Sequence, residues 1–291
     1  MKSKKMVPVL LILTALAVFV GYRQYDAIKS DVDAPEISIN DTQTLQISVQ
    51  TPKAELLQGV TAVDRHDGDV SDKLVVESMH LMDADGLIEV GYAVADKSGN
   101  VAKATRMVQY TDYESPKFSL SAPLIYEVYE DFDIMRSVFA QDVVDGDIQH
   151  RIRATALGEE SIMSQGVHEV HFQVSNSLGD ISEIILPVEV IETGTYAADL
   201  TLTDYLIYLP QGAVFQPEEY LNEFTYRAEN TSLRKGLPRN FYLEVTGAVQ
   251  TQTPGVYHIE YLVTRVVQHA TNPELDQMYS GYSKLIVVVE G

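Results

Sequence analysis

Gly86-Leu-Ile-Glu-Val-Gly-Tyr-Ala-Val94, Gly166-Val-His-Glu-Val-His-Phe-Gln-Val174 and Gly255-Val-Tyr-His-Ile-Glu-Tyr-Leu-Val263 read as three versions of one strand. Aligned on their glycines, they superpose Val90, Val170 and Ile259, then Tyr92, Phe172 and Tyr261, then Val94, Val174 and Val263. Apolar residues recur at every second position, the period of a strand with one face in a core. The glycines stand 80 and 89 residues apart, a spacing that suits one small β-sandwich per repeat.

Other features repeat with nearly the same offset. Ala34-Pro35 is echoed at Ser115-Pro116, and Asp67-Gly68-Asp69 at Asp145-Gly146-Asp147. Ser98-Gly99 becomes Leu178-Gly179, and closing strands are expected around Val108, around Val188 and over Lys284–Val289. Turn residues fall about every 8 to 12 positions between these marks, which predicts all-β sandwiches. A short helical turn is expected near Gln216–Phe224, opened by Pro217 with Glu218 and Glu219 in its first turn. The linkers, Thr111–Ser115 and Glu192–Gly194, are short, so the expected assembly is a semi-rigid rod. The third repeat is longer, with added polar sequence at Arg227–Asn240 and Gln268–Gly281. Loops of this kind at a distal tip are where binding function usually resides.

Forty-two acidic residues against 21 basic ones give the 291-residue chain a formal charge of −21. Nucleic acid is excluded as a partner, because binding its backbone needs a basic surface. There is no cysteine, so disulfides, thiolate metal sites and cysteine nucleophiles are excluded as well. An exported chain without disulfides points to a bacterial protein held together by its cores. Tyrosine is plentiful, at 17 against 8 Phe and no Trp, which suits half-buried strand positions with the hydroxyl at water.

Compartment is read from the N-terminus. Lys2, Lys4 and Lys5 precede an apolar run from Met6 to Tyr22. Seventeen residues reach about 25 Å as a helix, the lower limit for a bilayer core of roughly 30 Å. The positive-inside rule then leaves the N-terminus in the cytoplasm and the rest outside. A cleaved signal peptide is the rival, but Ala15-Leu16-Ala17 lies inside the run and Phe19-Val20-Gly21-Tyr22 makes a poor cleavage site. The expected organisation is a cytoplasmic stub (1–5), a transmembrane signal anchor (6–22), a spacer (23–31), and three sandwiches over 32–112, 113–192 and 194–291.

Gly59-Val-Thr-Ala-Val-Asp-Arg-His-Asp-Gly-Asp-Val-Ser71, followed by Val90-Gly-Tyr-Ala-Val-Ala-Asp-Lys-Ser-Gly-Asn-Val-Ala102, resembles the bacterial immunoglobulin-like domains of surface proteins. Similar domains occur in insecticidal crystal proteins and hyalin-repeat modules. The second repeat keeps Asp142–Ile148 but has Val174-Ser-Asn-Ser-Leu-Gly-Asp180 where that family usually has Asp-x-x-Gly-Asn. The third keeps the segment Tyr208–Pro217 and the Gly255 strand. The resemblance implies seven-stranded sandwiches used as spacers or adhesive modules, with no associated catalysis and no single ligand.

The acidic loop Asp64, Asp67, Asp69 and Asp72 is the candidate Ca²⁺ site, since a hard cation takes six to eight oxygens. Asp83-Ala-Asp-Gly86 invites the same thought. The EF-hand ligand series is missing, however, and Asp and Gly are what tight turns require, so turn architecture is the preferred reading and no cofactor is assigned. Seven histidines are scattered: His66, His80, His150, His168, His171, His258 and His269. His168 and His171, three apart on one strand, point to opposite faces. No catalytic signature of the metalloprotease, nucleophile-elbow or nucleotide-binding kind occurs, and no enzyme is expected. Tyr196, Tyr205, Tyr208, Tyr220, Tyr226, Tyr242, Tyr257, Tyr261, Tyr279 and Tyr282 crowd the third repeat, where they serve either a contact surface or a core.

These readings converge on a membrane-anchored structural or adhesive protein, its partner a protein or polysaccharide of the cell envelope or a neighbouring surface. The membrane is touched through the N-terminal helix only. A binding subunit of an envelope assembly or export machine is the alternative, and accessory domains for a separate enzyme a third reading.

Overall fold

The computed structural model describes residues 12, 14–23, 31–40, 43–158, 161–269 and 276–291. The chain forms two compact units, Met1–Glu114 and Ser115–Gly291. Each of the three glycine-led segments becomes a central strand, and its alternation is realised as burial. Val90, Tyr92, Val94, Val170, Phe172, Val174, Ile259, Tyr261 and Val263 are all at most 2% exposed.

In the first unit the strands are β1 (Glu36–Ile39), β2 (Leu45–Ile47), β3 (Val60–Asp64), β4 (Gly68–Asp69), β5 (Val75–Leu81), β6 (Leu87–Ala95) and β7 (Val101–Tyr110). They make two sheets, β1-β3-β4 and β2-β7-β6-β5. The opening strand is split between them: β1 runs antiparallel to β3, while β2 crosses over and runs parallel to β7. Val60 and Ala62 on one sheet and Ile88, Val90, Tyr92, Val94 and Val108 on the other are the buried faces of this sandwich. The Tyr92 hydroxyl would be stranded in this interior but donates to the carbonyl of Leu56 at 2.7 Å, in a 3-10 turn over Lys53–Leu57. A buried hydroxyl without such an acceptor would cost the fold about 1–3 kcal/mol.

The second unit repeats the plan twice. Strands β8 (Lys117–Leu120), β9 (Ile125–Glu127), β10 (Val138–Asp142), β11 (Gly146–Asp147), β12 (Arg153–Leu157), β13 (Gly166–Ser175) and β14 (Ile181–Ile191) form the sheets β11-β10-β8 and β12-β13-β14-β9. Strands β15 (Ala198–Leu202), β16 (Leu206–Leu209), β17 (Leu221–Tyr226), β18 (Glu229–Ser232), β19 (Phe241–Thr246), β20 (Gly255–Val267) and β21 (Gln277–Val289) follow. Here the two sheets join, because β15 pairs both with β17 and, through Ala198 and Asp199, with β21. Gly281 permits that approach: a Cβ there would sit 3.0 Å from the Ala198 carbonyl oxygen and 3.1 Å from the Leu200 Cβ.

Strands β16 and β21 carry a core on each face. Leu285 and Val287, with Ile207 and Leu209, pack into the core of the third sandwich. Ile286, Val288, Leu206 and Tyr208 face the other way and pack with Phe118, Leu124, Phe172 and Leu186 in the core of the second. The parity extends along β21. Lys284 pairs with Glu189 of β14 and, at 3.1 Å, with Glu260, and the Tyr282 hydroxyl reaches Glu189 at 3.3 Å. The Tyr208 hydroxyl accepts the Phe118 N–H at 2.9 Å, satisfying a donor on the outer edge of β8, and Lys117 pairs with Glu290 at 3.1 Å. Residues 115–291 are therefore one unit in which two sandwiches share a layer.

One expectation is narrowed. The turn at Gln216–Phe224 is a single 3-10 turn over Pro217–Tyr220, after which Leu221 enters β17. Leu221 and Phe224 are both buried against the core of the third sandwich, and that burial draws the segment into the sheet. At the N-terminus, residues 14–23 are helical, and Leu16, Val18, Phe19, Val20 and Tyr22 are exposed. Among the described residues no helix is long and apolar enough to cross a membrane. Most of the rest of the predicted 6–22 span lies outside the described residues.

The shared layer generates a test. Ile286→Ala should cost about 2–5 kcal/mol, the usual range for truncating a buried isoleucine. Amide hydrogen exchange should then speed up in β13 and β20 together. Acceleration confined to β20 would show that the two sandwiches open independently.

Candidate functional site

The Asp-Gly-Asp loops form one pole of the first and second sandwiches, and both are held by the same bonds. Asp64 ends β3, and its Oδ1 accepts the N–H groups of His66 and Asp67, each at 2.7 Å. Asp142 ends β10, and its Oδ1 accepts from Val144 at 2.9 Å and Asp145 at 2.8 Å. Gly68 and Gly146 follow with φ of 76° and 72°, the left-handed region where glycine carries no steric penalty. Asp69 and Asp147 then each accept an N–H two residues on, from Ser71 and Gln149 at 2.9 Å.

The remaining carboxylate latches this loop to the turn before the closing strand. Asp67 accepts the Lys97 N–H at 2.7 Å and its ammonium at 3.2 Å. Asp145 accepts the N–H and hydroxyl of Ser177 at 2.6 and 2.7 Å, and also bonds Arg151. Asp67 is held below the usual carboxylate range, chiefly by the Lys97 N–H. Burial pushes Asp145 up, but the bonds from Ser177 and Arg151 outweigh it and the net shift is downward.

The four proposed Ca²⁺ ligands are thus spread over different tasks. Asp64 caps the loop, Asp67 latches it, Asp69 holds Ser71, and Asp72 sits exposed in the 3-10 turn Ser71–Lys73. Asp83 likewise serves its own turn, accepting from Asp85 and Leu87.

Sequence reading did not single out the grouping that the structure makes. Carboxylate oxygens of Asp31 and Asp64 and a ring nitrogen of His66 lie within 4.8 Å of one another. His66 Nδ1 is 3.0 Å from Asp31 Oδ1, and the Asp31 side chain is only 6% exposed. Asn100 fixes the neighbourhood, donating from Nδ2 to the Asp31 carbonyl at 3.1 Å and to Asp96 Oδ2 at 2.7 Å. Burial pushes Asp96 up, but the bonds from Asn100 and from the backbone of Ser98 and Gly99 hold it below its ordinary range. The one available signal was the exchange of Asp96 and Asn100 for Asn176 and Asp180 between repeats.

The histidine pair behaves as its spacing requires. His168 is buried with Nε2 2.7 Å from the Ser164 carbonyl oxygen, while His171 faces Glu183 at 3.3 Å. Most of the tyrosines of the third sandwich are spent on packing. Tyr261 is fully buried and donates to the Pro217 carbonyl at 3.0 Å, Tyr196 stacks on Tyr282, and Tyr208 lies in the shared layer. Burial, with Glu189 beside it, pushes the Tyr282 phenol up. At the rim of this core the half-buried Tyr226 and Tyr279 stack at 3.8 Å with Arg227 5.1 Å over the Tyr226 ring, and Tyr242 is 62% exposed.

The strand pairings define an all-β protein of sandwich type. No family model matches the chain, and no curated protein matches it. Among solved structures it is similar to the CBM51-2 (in complex with GlcNAc) and INT domains of Clostridium perfringens ZmpB. Identity there is 16% and the TM-score 0.22, over 57% of this chain and 31% of that one. The protocadherin gammaB4 extracellular domain is similar at 10% identity and TM-score 0.20, over 88% of this chain and 49% of that one. Human mucin-like protocadherin EC1-2 is similar at 11% identity and TM-score 0.20, over 60% of this chain and 98% of that one. The chain thus spans less than half the length of the first two. Nothing about ligand or activity passes from these proteins to this chain at such scores.

Acid should release the latches. Asp67, Asp69 and Asp145 have depressed values in the folded state, so the unfolded chain binds more protons below about pH 4. Their stabilisation is present above that pH and is lost as pH falls through the folded values. The thermal midpoint should therefore drop below about pH 4, and the drop should shrink in Asp67→Asn and Asp145→Asn. Midpoints that track the unsubstituted protein at every pH would remove the latches from the account.

Proposed function

We propose that the chain is a non-catalytic protein of the bacterial cell envelope, a spacer that presents a binding surface on its third sandwich. In this reading residues 6–22 are a signal anchor that keeps the N-terminus cytoplasmic and the sandwiches outside. The observation that carries it is the layer of β16 and β21, which has a core on each face. A hinge between the second and third sandwiches would expose Ile286, Val288 and Leu206 to water, so the pair behaves as one rigid piece suited to holding a surface at a set distance. The bacterial immunoglobulin-like surface domains that the first repeat resembles serve such a purpose. The exposed apolar side chains of helix 14–23 are consistent with the anchor.

The presented surface is the half-buried stacked pair Tyr226 and Tyr279 with Arg227 over it. Aromatic and arginine side chains are enriched where proteins bind partners, and tyrosine faces also stack on sugar rings. The hairpin that carries Arg227 holds Arg227 and Ala228 at φ of 50° and 64°. This is the left-handed pairing of a two-residue turn that matches the strand twist.

Co-sedimentation of residues 31–291 with separated cell-wall and membrane fractions tests this reading. Pelleting with one fraction, reduced at least tenfold by Tyr226→Ala with Tyr279→Ala, is the expected result. An ectodomain that stays in the supernatant with both fractions would overturn the binding role.

A further inference from the structure

The structure assigns a divalent-cation site of the zinc class to Asp31, Asp64 and His66 at the loop pole of the first sandwich. Three donors there lie within 4.8 Å of one another, and a tetrahedral ion with bonds of about 2.0–2.2 Å sets its donors about 3.4 Å apart. The separations are therefore within a small side-chain adjustment of ligation, with solvent as the fourth ligand.

The second observation is Asp64 itself. The residue is 2% exposed, its Oδ1 is spent on two N–H groups, and among the described residues its Oδ2 has no hydrogen-bond partner. A buried carboxylate oxygen left without a donor is costly, and a cation is the partner that would compensate it.

The second sandwich is the internal control. Its equivalent carboxylate, Asp142, has the same Oδ1 bonds, but its Oδ2 accepts from Asn176 Nδ2 at 3.0 Å. The first sandwich has Asp96 at the Asn176 position, which when ionised has no proton to donate, and His66 where the second has Val144. One repeat closes this pole with an amide, and the other supplies an open carboxylate and an imidazole. Asp31 completes the set and is held by the Asn100 amide on its carbonyl and the Asp33 N–H on its Oδ1.

Donor chemistry selects the metal. Calcium takes six to eight oxygens, whereas an imidazole nitrogen with two carboxylates suits zinc and its first-row neighbours. This set shares Asp64 with the Asp64, Asp67, Asp69 and Asp72 grouping but takes Asp31 and His66 in place of Asp67, Asp69 and Asp72, of which Asp67 and Asp69 already serve the loop.

The test is titration of the metal-free, full-length chain with Zn²⁺, followed by calorimetry and by the thermal midpoint. One equivalent should bind saturably and raise the midpoint, and Ca²⁺ in hundredfold excess should fail to displace it. His66→Gln keeps the backbone N–H that caps the loop and changes an exposed side chain. It should lower Zn²⁺ affinity at least tenfold and leave the metal-free midpoint unchanged. Asp96→Asn with Asn100→Asp, which reproduces the Asn176 and Asp180 pair of the second sandwich, should also weaken Zn²⁺ binding. The assignment is overturned by absence of saturable Zn²⁺ binding, by unchanged affinity in His66→Gln, or by displacement with equimolar Ca²⁺.

Discussion

A strand has two faces, and β21 must satisfy a core with each. Its odd positions, Leu285 and Val287, complete the third sandwich, while Ile286 and the half-buried Val288 close the second. Other features of the second unit depend on this arrangement. It brings Lys284 between Glu189 and Glu260, with its side chain only 12% exposed, and sets Tyr208 against the outer edge of β8. An ammonium so enclosed needs its carboxylate partners, because desolvation without them would cost more than the position could bear. The apolar packing sets the geometry, and the ion pairs and hydroxyl contacts satisfy the polar groups that the packing encloses.

The loop pole is governed by a different constraint, the need of backbone N–H groups for acceptors where the sheet ladder ends. A carboxylate at the last residue of β3 or β10 supplies two bonds at once. The next Asp ties the loop to the turn before the closing strand. Such duties account for the acidic sequence pattern, and both repeats meet them, with Lys97 latching Asp67 and Ser177 and Arg151 latching Asp145. What they do not absorb is the second oxygen of Asp64. There the two repeats differ in Asp96 against Asn176, in Asn100 against Asp180 and in His66 against Val144.

Much of the fold was legible because its signals are local. Alternation at Val90, Tyr92 and Val94 and its two echoes depends only on the pleat, and burial followed it at every position. The Asp-Gly-Asp turns were legible for the same reason, since Asp bonding over two or three residues and Gly at positive φ need no distant partner. The Gln216–Phe224 segment was less so. Its start signals, Pro217 and two glutamates, specify an opening turn, but whether a helix continues depends on the sheet that Leu221 and Phe224 can join.

By itself, then, the sequence determined the strand periodicity, the repeat, the turn chemistry and the acidic, cysteine-free character that excludes whole classes of function. The run Leu285-Ile286-Val287-Val288-Val289 even carried, in its lack of alternation, a sign of burial on both faces. Only the tertiary structure decided which cores those faces meet, because Ile286 finds Phe118 and Leu186 through packing across the unit. It alone brought Asp31 to His66, 35 positions apart, since donors converge on a site through the path of the chain rather than through their spacing along it.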